Sequence, residues 1–322
     1  MTIKHKVIVT GANGMLGSAI CDELSSLANV KIIKLTRDVC DLLNAEAVEQ
    51  FFSFHKPNFV YHCAAKVGGI SANKNYPVEF LMHNVQIQNN VLSASHKESV
   101  ERLIFFASNA VYPKDISRPI EEIDMLSGAP EETVRPYAIA KLAGIELCHS
   151  YNTQYGTKFL SLIPVNLYGP KDNFHPENSH VLPALLRKFH LAKMNNDKSV
   201  DVWGTGNQRR EFMCSLDLAR IAVEVMNFTT EKFEGVCQEY PPLINVGVGA
   251  DISIRELAET IAKRVGFKGD VIFDSSKPEG INKKQTSVKK MHSLGLQHNI
   301  SFDDGIGIIY DYYKEHVYNV EN

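Results

Sequence analysis

The sequence of 322 residues predicts an α/β protein built on a doubly wound parallel sheet with a smaller second lobe. Short apolar runs alternate with amphipathic segments of helical length through the first half of the chain. Strands joined by whole helices pair in parallel, because the connection must return to the edge where the previous strand began. After Gly169 the alternation loosens, which indicates a differently organised C-terminal part.

Each element of the first half follows from its own local pattern. The short runs rich in Val, Ile, Leu and Phe predict strands: KVIVTG, VKIIKLT, FVYHCAA, RLIFFAS and KFLSLIPVNLYG. The segments between them have apolar positions three or four residues apart and predict helices: GSAICDELSSLA, NAEAVEQFFSFH, FLMHNVQIQNNVLSASHKES and YAIAKLAGIELCHSYNTQYG.

The second half predicts fewer strands. A polar loop (PKDNFHPENSH) precedes a helix (VLPALLRKFHLAKMN) and a short strand pair around a Gly-rich turn (SVDVWGTGNQRREF). The helix LDLARIAVEVMNF returns to the sheet, and a helix (SIRELAETIAKRVG) and a strand (GDVIFDSS) follow. We expect a first domain of residues 1–169 with about 213–246, and an interleaved lobe of 170–212 and 247–322.

Composition narrows the range of functions. The 34 basic and 37 acidic residues give a net charge of −3, without the basic excess that general nucleic-acid binding requires. No apolar run approaches the roughly 20 residues that span a bilayer. The six cysteines lack paired spacing, which favours reduced thiols, a cytoplasmic location and no zinc site.

A glycine-rich loop lies between the first strand and the first helix. Gly11, Gly14 and Gly17 in VIVTGANGMLGSAI allow a tight turn and close approach of the backbone to a pyrophosphate. The following helix offers free N–H groups at its N-terminus. Such glycines also occur in plain structural turns, but their place in a complete strand–turn–helix–strand unit predicts a Rossmann-type nucleotide site.

Arg37 ends the second strand in KLTRD, where NAD-binding proteins commonly place an acid on the ribose 2′-hydroxyl. A guanidinium binds a 2′-phosphate that a carboxylate would repel, so Arg37 favours NADP(H). The adjacent Asp38 keeps a second interpretation open, in which Arg37 is a solvated loop charge.

Three residues predict reduction of a ketone. Tyr137 and Lys141 are four residues apart and share one helix face. We expect the ammonium to lower the pKa of the phenol, which would protonate the alkoxide formed by hydride attack. Ser108, at the carboxyl end of the fourth strand, could bind the same oxygen. A YxxxK pattern alone is common on helix surfaces, and the nucleotide loop is what favours catalysis.

With these motifs in place, the sequence resembles the extended short-chain dehydrogenase/reductase superfamily, and within it the GDP-L-fucose synthase family. The resemblance covers most of the chain through long segments: AAKVGGISAN, YPK, PYAIAKLAGIELCHSYNTQYG, NLYGPKDNFHPENSHVLPALLRKF, WGTGNQRREF and KPEGINKK. It implies a GDP-linked 4-keto-6-deoxy sugar as substrate, NADPH as the hydride donor, and a homodimer formed through the helices near residues 84–97 and 137–152.

The resemblance also assigns residues. It implies a catalytic set of Ser108, Tyr137, Lys141 and His180. Lys141 and His180 would also contact the cofactor, together with Gly11, Asn13, Gly14, Met15, Gly17, Arg37, Asp41, Leu42, Ala64, Ala65, Asn166 and Leu167. The substrate would contact Asn109, Asn178, Val181, Lys188, Trp203, Arg210 and Lys284. Without the resemblance, His180 is an ordinary loop histidine and Lys188 a solvated helix charge.

One position departs from the family pattern. The family has a cysteine two residues after the serine, as the acid/base partner of the histidine in epimerisation, whereas this chain has Ser108, Asn109 and Ala110. Inverting a carbon beside a ketone needs two positioned acid/base groups, and alanine is neither. We therefore expect a C4-keto reductase of a hexose or heptose nucleotide, with epimerisation lost or weakened and the product feeding a surface polysaccharide.

Two alternatives stay open on the sequence. In one, the protein is a bifunctional GDP-L-fucose synthase in which water or His180 alone manages both proton steps. In the other, it is a non-catalytic NADP-binding sensor. The intact set of Ser108, Tyr137 and Lys141 argues against the sensor.

Overall fold

The computed structural model describes residues 5–176, 178–277 and 282–319. The strands are β1 His5–Thr10, β2 Val30–Leu35, β3 Phe59–His62, β4 Arg102–Phe106, β5 Phe159–Pro164, β6 Asn166–Tyr168, β7 Ser199–Trp203, β8 Arg209–Arg210, β9 Phe212–Cys214, β10 Leu243–Val246, β11 Ile252–Ser253, β12 Asp270–Asp274 and β13 Lys283–Lys284. The α-helices are α1 Met15–Ser25, α2 Ala45–His55, α3 Ile70–Asn75, α4 Pro77–Lys97, α5 Arg135–Tyr155, α6 Val181–Asn195, α7 Ser215–Met226, α8 Thr230–Gln238, α9 Ile254–Val265, α10 Lys289–Ser293 and α11 Phe302–Tyr313.

A six-stranded sheet forms the centre of the molecule. Its strand order is β2-β1-β3-β4-β5-β10, and every neighbouring pair is parallel. The order reverses between β1 and β3, so the loops that follow these two strands border a crevice at the carboxyl edge. Open α/β sheets bind their ligands at such a reversal.

Apolar clusters cover both faces of this sheet, which confirms the predicted doubly wound α/β fold. On one face, buried residues of α1, α7 and α8 pack against the strands. On the other, buried residues of α2, α4 and α5 do so. A third cluster, formed largely by α6, α9 and α11, lies in the C-terminal part.

Several strands and their pairings differ from the sequence predictions. KFLSLIPVNLYG forms two strands rather than one, because β6 leaves the main sheet and pairs with β9. The predicted strand pair in SVDVWGTGNQRREF is wrong: β7 pairs with β12, whereas β8 pairs with β11 and β13. Glycines at positive φ, Gly204 and Gly206, separate β7 from β8 and direct them into different sheets.

Several helices were not predicted, namely α3, α8, α10 and α11. The domain boundaries at 169, 213 and 246 stay a prediction, and residues 278–281 of KPEGINKK lie outside the described residues. The six cysteines are unpaired, and all but the half-buried Cys63 are buried. Within the described ranges, no helix combines the length and apolar character needed to cross a membrane.

Candidate active site

The glycine loop is shaped by contacts that exclude side chains. Gly11 has a φ of 65°, and its carbonyl accepts a hydrogen bond from the Gly14 N–H at 2.9 Å. A Cβ on Gly17 would lie 2.2 Å from the Gly11 oxygen, so the helix approaches the loop too closely for any other residue. No side chain caps α1 at Gly14, and the N–H groups of Met15 and its neighbours face the crevice end of the helix. This cradle fits a pyrophosphate.

A buried hydrogen-bond chain fixes the second loop at the crevice. The Thr10 hydroxyl accepts the Ala64 N–H at 3.0 Å and forms a second hydrogen bond, 2.9 Å long, with His62 Nδ1. Burial, assisted by the nearby Lys141 charge, lowers the pKa of His62 to about 3. A Cβ on Gly11 would lie 3.0 Å from the Ala64 Cα, so the two loops are in contact.

The loop after β2 carries Arg37, which is exposed. It lies two residues beyond Leu35, whose carbonyl accepts the Gly11 N–H at 2.9 Å. Arg37 is therefore close to the glycine loop and free to meet a ligand from the solvent side. Further along, Asp41 Oδ1 accepts the Leu43 N–H at 3.0 Å, and Asn90 donates to the Leu42 carbonyl at 2.8 Å.

Ser108 and Tyr137 meet just beyond β4. Ser108 caps the 3₁₀ turn Asn109–Val111, accepts the Ala110 N–H at 3.2 Å, and has its hydroxyl beside that of Tyr137. Burial raises the pKa of Tyr137 to about 12, and the neighbouring Ser108 hydroxyl only partly offsets this. The prediction that Lys141 sets a lowered pKa for Tyr137 is therefore wrong for this structure, because desolvation of the phenolate outweighs the stabilising contacts.

Lys141 lies one turn along α5 and is 3% exposed. Its ammonium donates to the Phe106 carbonyl at 2.8 Å and lies 4.6 Å from the centre of the Phe105 ring and 6.0 Å from that of Tyr137. Burial lowers the pKa of Lys141 to about 8. The carboxyl end of β4 thus holds both the serine and the lysine beside the tyrosine.

The loop after β3 connects this centre to the loop that carries His180. Asn84 of α4 accepts the Lys66 N–H at 2.8 Å and donates to the Lys66 carbonyl at 3.0 Å. A Cβ on Gly69 would lie 3.3 Å from the Ser179 oxygen, so this loop touches the residue before His180. Sequence reasoning missed Asn84, although a polar residue inside a buried helix face is a recognisable signal.

His180 begins α6 as its N-cap residue, followed by Val181 as the first residue of the helix. The surrounding protein disfavours the charged ring and lowers the pKa of His180, although the residue keeps contact with solvent. The Asn178 carbonyl accepts a hydrogen bond from Asn173 at 3.4 Å, which closes the loop before the helix. His180 is therefore neutral at pH 7 and can accept a proton.

Two cationic side chains lie side by side on neighbouring strands, Lys284 buried and Arg210 half-buried. Arg210 and Lys284 are directly paired on β8 and β13. Burial lowers the pKa of both, and that of Lys284 falls to about 8. Lys284 donates to the Tyr112 carbonyl at 3.4 Å, and neither cation has a carboxylate within ion-pair distance among the described residues. Desolvated cations without counter-ions form a site for an anion such as a diphosphate.

Glu211 anchors that cation pair. Its carboxylate, 0% exposed, accepts hydrogen bonds from the N–H groups of Val248 (2.8 Å) and Gly249 (2.6 Å). It also accepts the N–H (3.0 Å) and the hydroxyl (2.9 Å) of Thr286, two residues beyond Lys284. The Asn166 side chain donates to the Glu211 carbonyl at 2.8 Å.

The remaining candidate residues differ in exposure and in their contacts. Leu167 is half-buried on β6, and Ala65 is half-buried beside Ala64. Lys188 donates to the Asp201 carbonyl, and Trp203 is 64% exposed with the Lys277 ammonium 6.0 Å from its ring. Asn13 is exposed at the tip of the glycine loop.

The sequence profile of the NAD dependent epimerase/dehydratase family matches residues 7–246. The chain belongs to this family. It is thereby an enzyme of the extended short-chain dehydrogenase/reductase group, as the sequence analysis predicted.

Relatives with high coverage include both curated proteins and solved structures. GDP-L-fucose synthase of Escherichia coli is 46% identical over 97% of each chain. A GDP-6-OMe-4-keto-L-xylo-heptose reductase from C. jejuni has a TM-score of 0.89 at 35% identity, with 100% of this chain and 99% of that one covered. A GDP-mannoheptose C4 reductase from Campylobacter jejuni, with NADP bound, has a TM-score of 0.87 at 37% identity, with 98% and 99% covered.

The buried Lys141 predicts a pH-dependent stability. Because its pKa is about 8 in the folded protein against an ordinary 10.5, the unfolded chain holds more protons between these values. Stability therefore rises with pH across that window. Lys141→Met lacks this titrating group, so its free energy of unfolding relative to wild type should fall by up to about 3 kcal/mol as the pH rises from 8 to 10.5. Denaturant unfolding measures this difference.

The exposed Lys268 supplies the matched control. A Lys268→Met variant also removes one lysine ammonium, but from a position in contact with solvent. The same pH profile in both variants would show that Lys141 is solvated rather than buried.

Proposed function

We propose that this protein is an NADPH-dependent C4-keto reductase acting on a GDP-linked 4-keto-6-deoxy sugar. The proposal rests on one observation: a short segment connects the Ser108–Tyr137 site to the cation pair. Ser108, beside Tyr137, is four residues from Tyr112, whose carbonyl binds Lys284 of the cation pair. A diphosphate on the cations would place its sugar next to the tyrosine.

The relatives support this substrate class. The names of the Escherichia coli enzyme and of both Campylobacter structures refer to GDP-linked sugars, and two name a reductase. A GDP-L-colitose synthase of Yersinia pseudotuberculosis is also 36% identical over 96% of this chain. These names leave hexose and heptose substrates equally open for this protein.

The cofactor would occupy the crevice between β1 and β3. Gly11, Gly14 and Gly17 provide a backbone cradle without side chains, and Arg37 is exposed beside it. Arg37 could bind the 2′-phosphate of the cofactor there, which supports NADP(H) rather than NAD(H). When bound, the nicotinamide supplies the hydride, and a neighbouring structure is described with NADP bound.

The chain's own groups then carry out proton transfer and orientation. Ser108 donates a hydrogen bond to the carbonyl oxygen and polarises it. Tyr137, with its pKa near 12, is protonated at pH 7 and delivers its proton to the oxygen as negative charge develops. Lys141, fixed by the Phe106 carbonyl, would hold the nicotinamide ribose beside the tyrosine.

Epimerisation needs a second acid/base group opposite His180, and Ala110 cannot serve. The Ala110 side chain is half-buried in the turn capped by Ser108, at the edge of the same site. Burial raises the pKa of the Cys63 thiol well above the ordinary value, so this cysteine stays protonated and cannot act as the base. We infer that epimerisation is absent or weak, and that a separate epimerase acts before this enzyme where inversion is needed.

A bifunctional GDP-L-fucose synthase is the second candidate, since the Escherichia coli synthase is 46% identical. In that case water, or His180 alone, would have to serve both faces of the sugar. The neutral His180 can remove one proton, but it cannot also deliver one from the opposite face.

A homodimer through α4 and α5 accompanies the proposal. These helices pack against each other and present Met82 (55% exposed) and Ile139 (44% exposed) outward. We expect the enzyme to work in the cytoplasm and its product to serve as a donor for a surface polysaccharide.

Replacing Tyr137 by Phe removes the proton donor without changing the shape of the site. We expect kcat to fall by about 10²- to 10⁴-fold in NADPH oxidation with GDP-4-keto-6-deoxymannose, with cofactor binding retained. Tyr155→Phe, at the exposed end of the same helix, is the matched control and should keep wild-type turnover. Wild-type turnover in Tyr137→Phe would contradict the assignment.

Solvent exchange tests the loss of epimerisation. With the same substrate and NADPH in D₂O, NMR of the wild-type product should show no deuterium at C3 or C5. Ala110→Cys should introduce measurable exchange, because it supplies the second proton carrier. Full exchange at both carbons in the wild type, with an L-configured product, would establish the bifunctional alternative.

A further inference from the structure

We propose that Glu131 is a substrate-binding residue whose carboxylate accepts a hydrogen bond from a ring hydroxyl of the sugar. The inference rests on the proposed function, in which the diphosphate lies on the cation pair and C4 lies at Tyr137. It assigns a role to an acidic residue that no sequence motif singled out.

Glu131 is held in a defined position just before the catalytic helix. It is the N-cap residue of the 3₁₀ turn Glu132–Val134, which leads directly into α5, and it lies six residues before Tyr137. Its carbonyl accepts the Val134 N–H at 3.3 Å. The Thr133 hydroxyl donates to one carboxylate oxygen, Oε1, at 2.7 Å and orients the group.

The residues just before Glu131 pack against the end of the segment that links Ser108 to the cation pair. The Lys114 N–H donates to the Ala129 carbonyl at 3.2 Å. A Cβ on Gly128 would lie 3.2 Å from the Pro113 Cβ. The turn just before Glu131 is thus held against Pro113 and Lys114, next to the Tyr112 carbonyl that binds Lys284.

The charge of Glu131 acts on both members of the cation pair. It opposes the effect of burial on the pKa values of Arg210 and Lys284. However, no ion pair of 4.0 Å or less joins it to either cation, although all three residues are described. The carboxylate therefore forms no salt bridge with either cation, and a gap separates it from both.

A carboxylate facing an anion site carries a cost, because it repels the phosphates that the cations attract. This arrangement is useful if the carboxylate binds a part of the ligand that is neutral and donates hydrogen bonds. In a pyranose, the hydroxyls at C2 and C3 lie between C1, which bears the diphosphate, and the C4 carbonyl. Those hydroxyls are the donors available in the gap.

Binding measurements on the full-length protein separate the sugar from the diphosphate. GDP and GDP-mannose share the diphosphate, but only the latter carries the sugar hydroxyls. By titration calorimetry with NADP⁺ present, Glu131→Ala should weaken GDP-mannose relative to GDP by about 10- to 100-fold, the range for hydrogen bonds to a charged group. Affinity for GDP itself should stay the same or rise, since a repelling charge is removed.

Glu132→Gln is the matched control, because Glu132 is an exposed neighbour paired with Arg135 at 3.5 Å; both affinities should be unchanged. If Glu131→Ala does not fold, Glu131→Gln is measured instead. Its affinity for GDP-mannose relative to GDP should fall by a smaller factor. An unchanged GDP-mannose to GDP ratio would overturn the role of Glu131. Failure of the wild type to bind either nucleotide would instead refute the proposed function.

Discussion

The site depends on one buried carboxylate, that of Glu211. Four hydrogen bonds from Val248, Gly249 and Thr286 satisfy it without a cation. Its own carbonyl binds the Asn166 side chain at the start of β6. A single residue therefore joins the edge of the main sheet to the strands that carry Arg210 and Lys284. Breaking this connection would leave a buried, unsatisfied charge, which is costly, so the two halves of the site keep a fixed separation.

Burial also sets the protonation of the reacting groups. The same desolvation keeps the phenol of Tyr137 protonated, keeps His180 neutral and makes Lys141 and Lys284 easier to deprotonate. A proton donor beside a carbonyl is what reduction needs, whereas inversion of a carbon needs two carriers on opposite faces. Under the proposed function, the groups present decide the chemistry, and Ala110 leaves only one of the two carriers.

Local patterns were enough to predict the sheet, the glycine loop and the serine–tyrosine–lysine set, because each depends on residues close in sequence or on strand ends that meet at one edge. They did not predict the pairing of β7 with β12 or of β8 with β13, which joins segments some 70 residues apart. The raised pKa of Tyr137 was also beyond the sequence, since the extent of burial is a property of the whole fold. Glu131 and Glu211 have no motif, and only their three-dimensional partners set them apart.

Transfer of deuterium from NADPH that carries two deuterium atoms at C4 of the nicotinamide tests the central claim, that this site reduces the C4 ketone of a GDP-linked sugar. The reaction would be run in ordinary water with GDP-4-keto-6-deoxymannose, and the product analysed by NMR and mass spectrometry. The account predicts one deuterium per product molecule, bound to C4 of the sugar. Oxidation of the cofactor without deuterium at C4, or transfer to any other carbon, would contradict it.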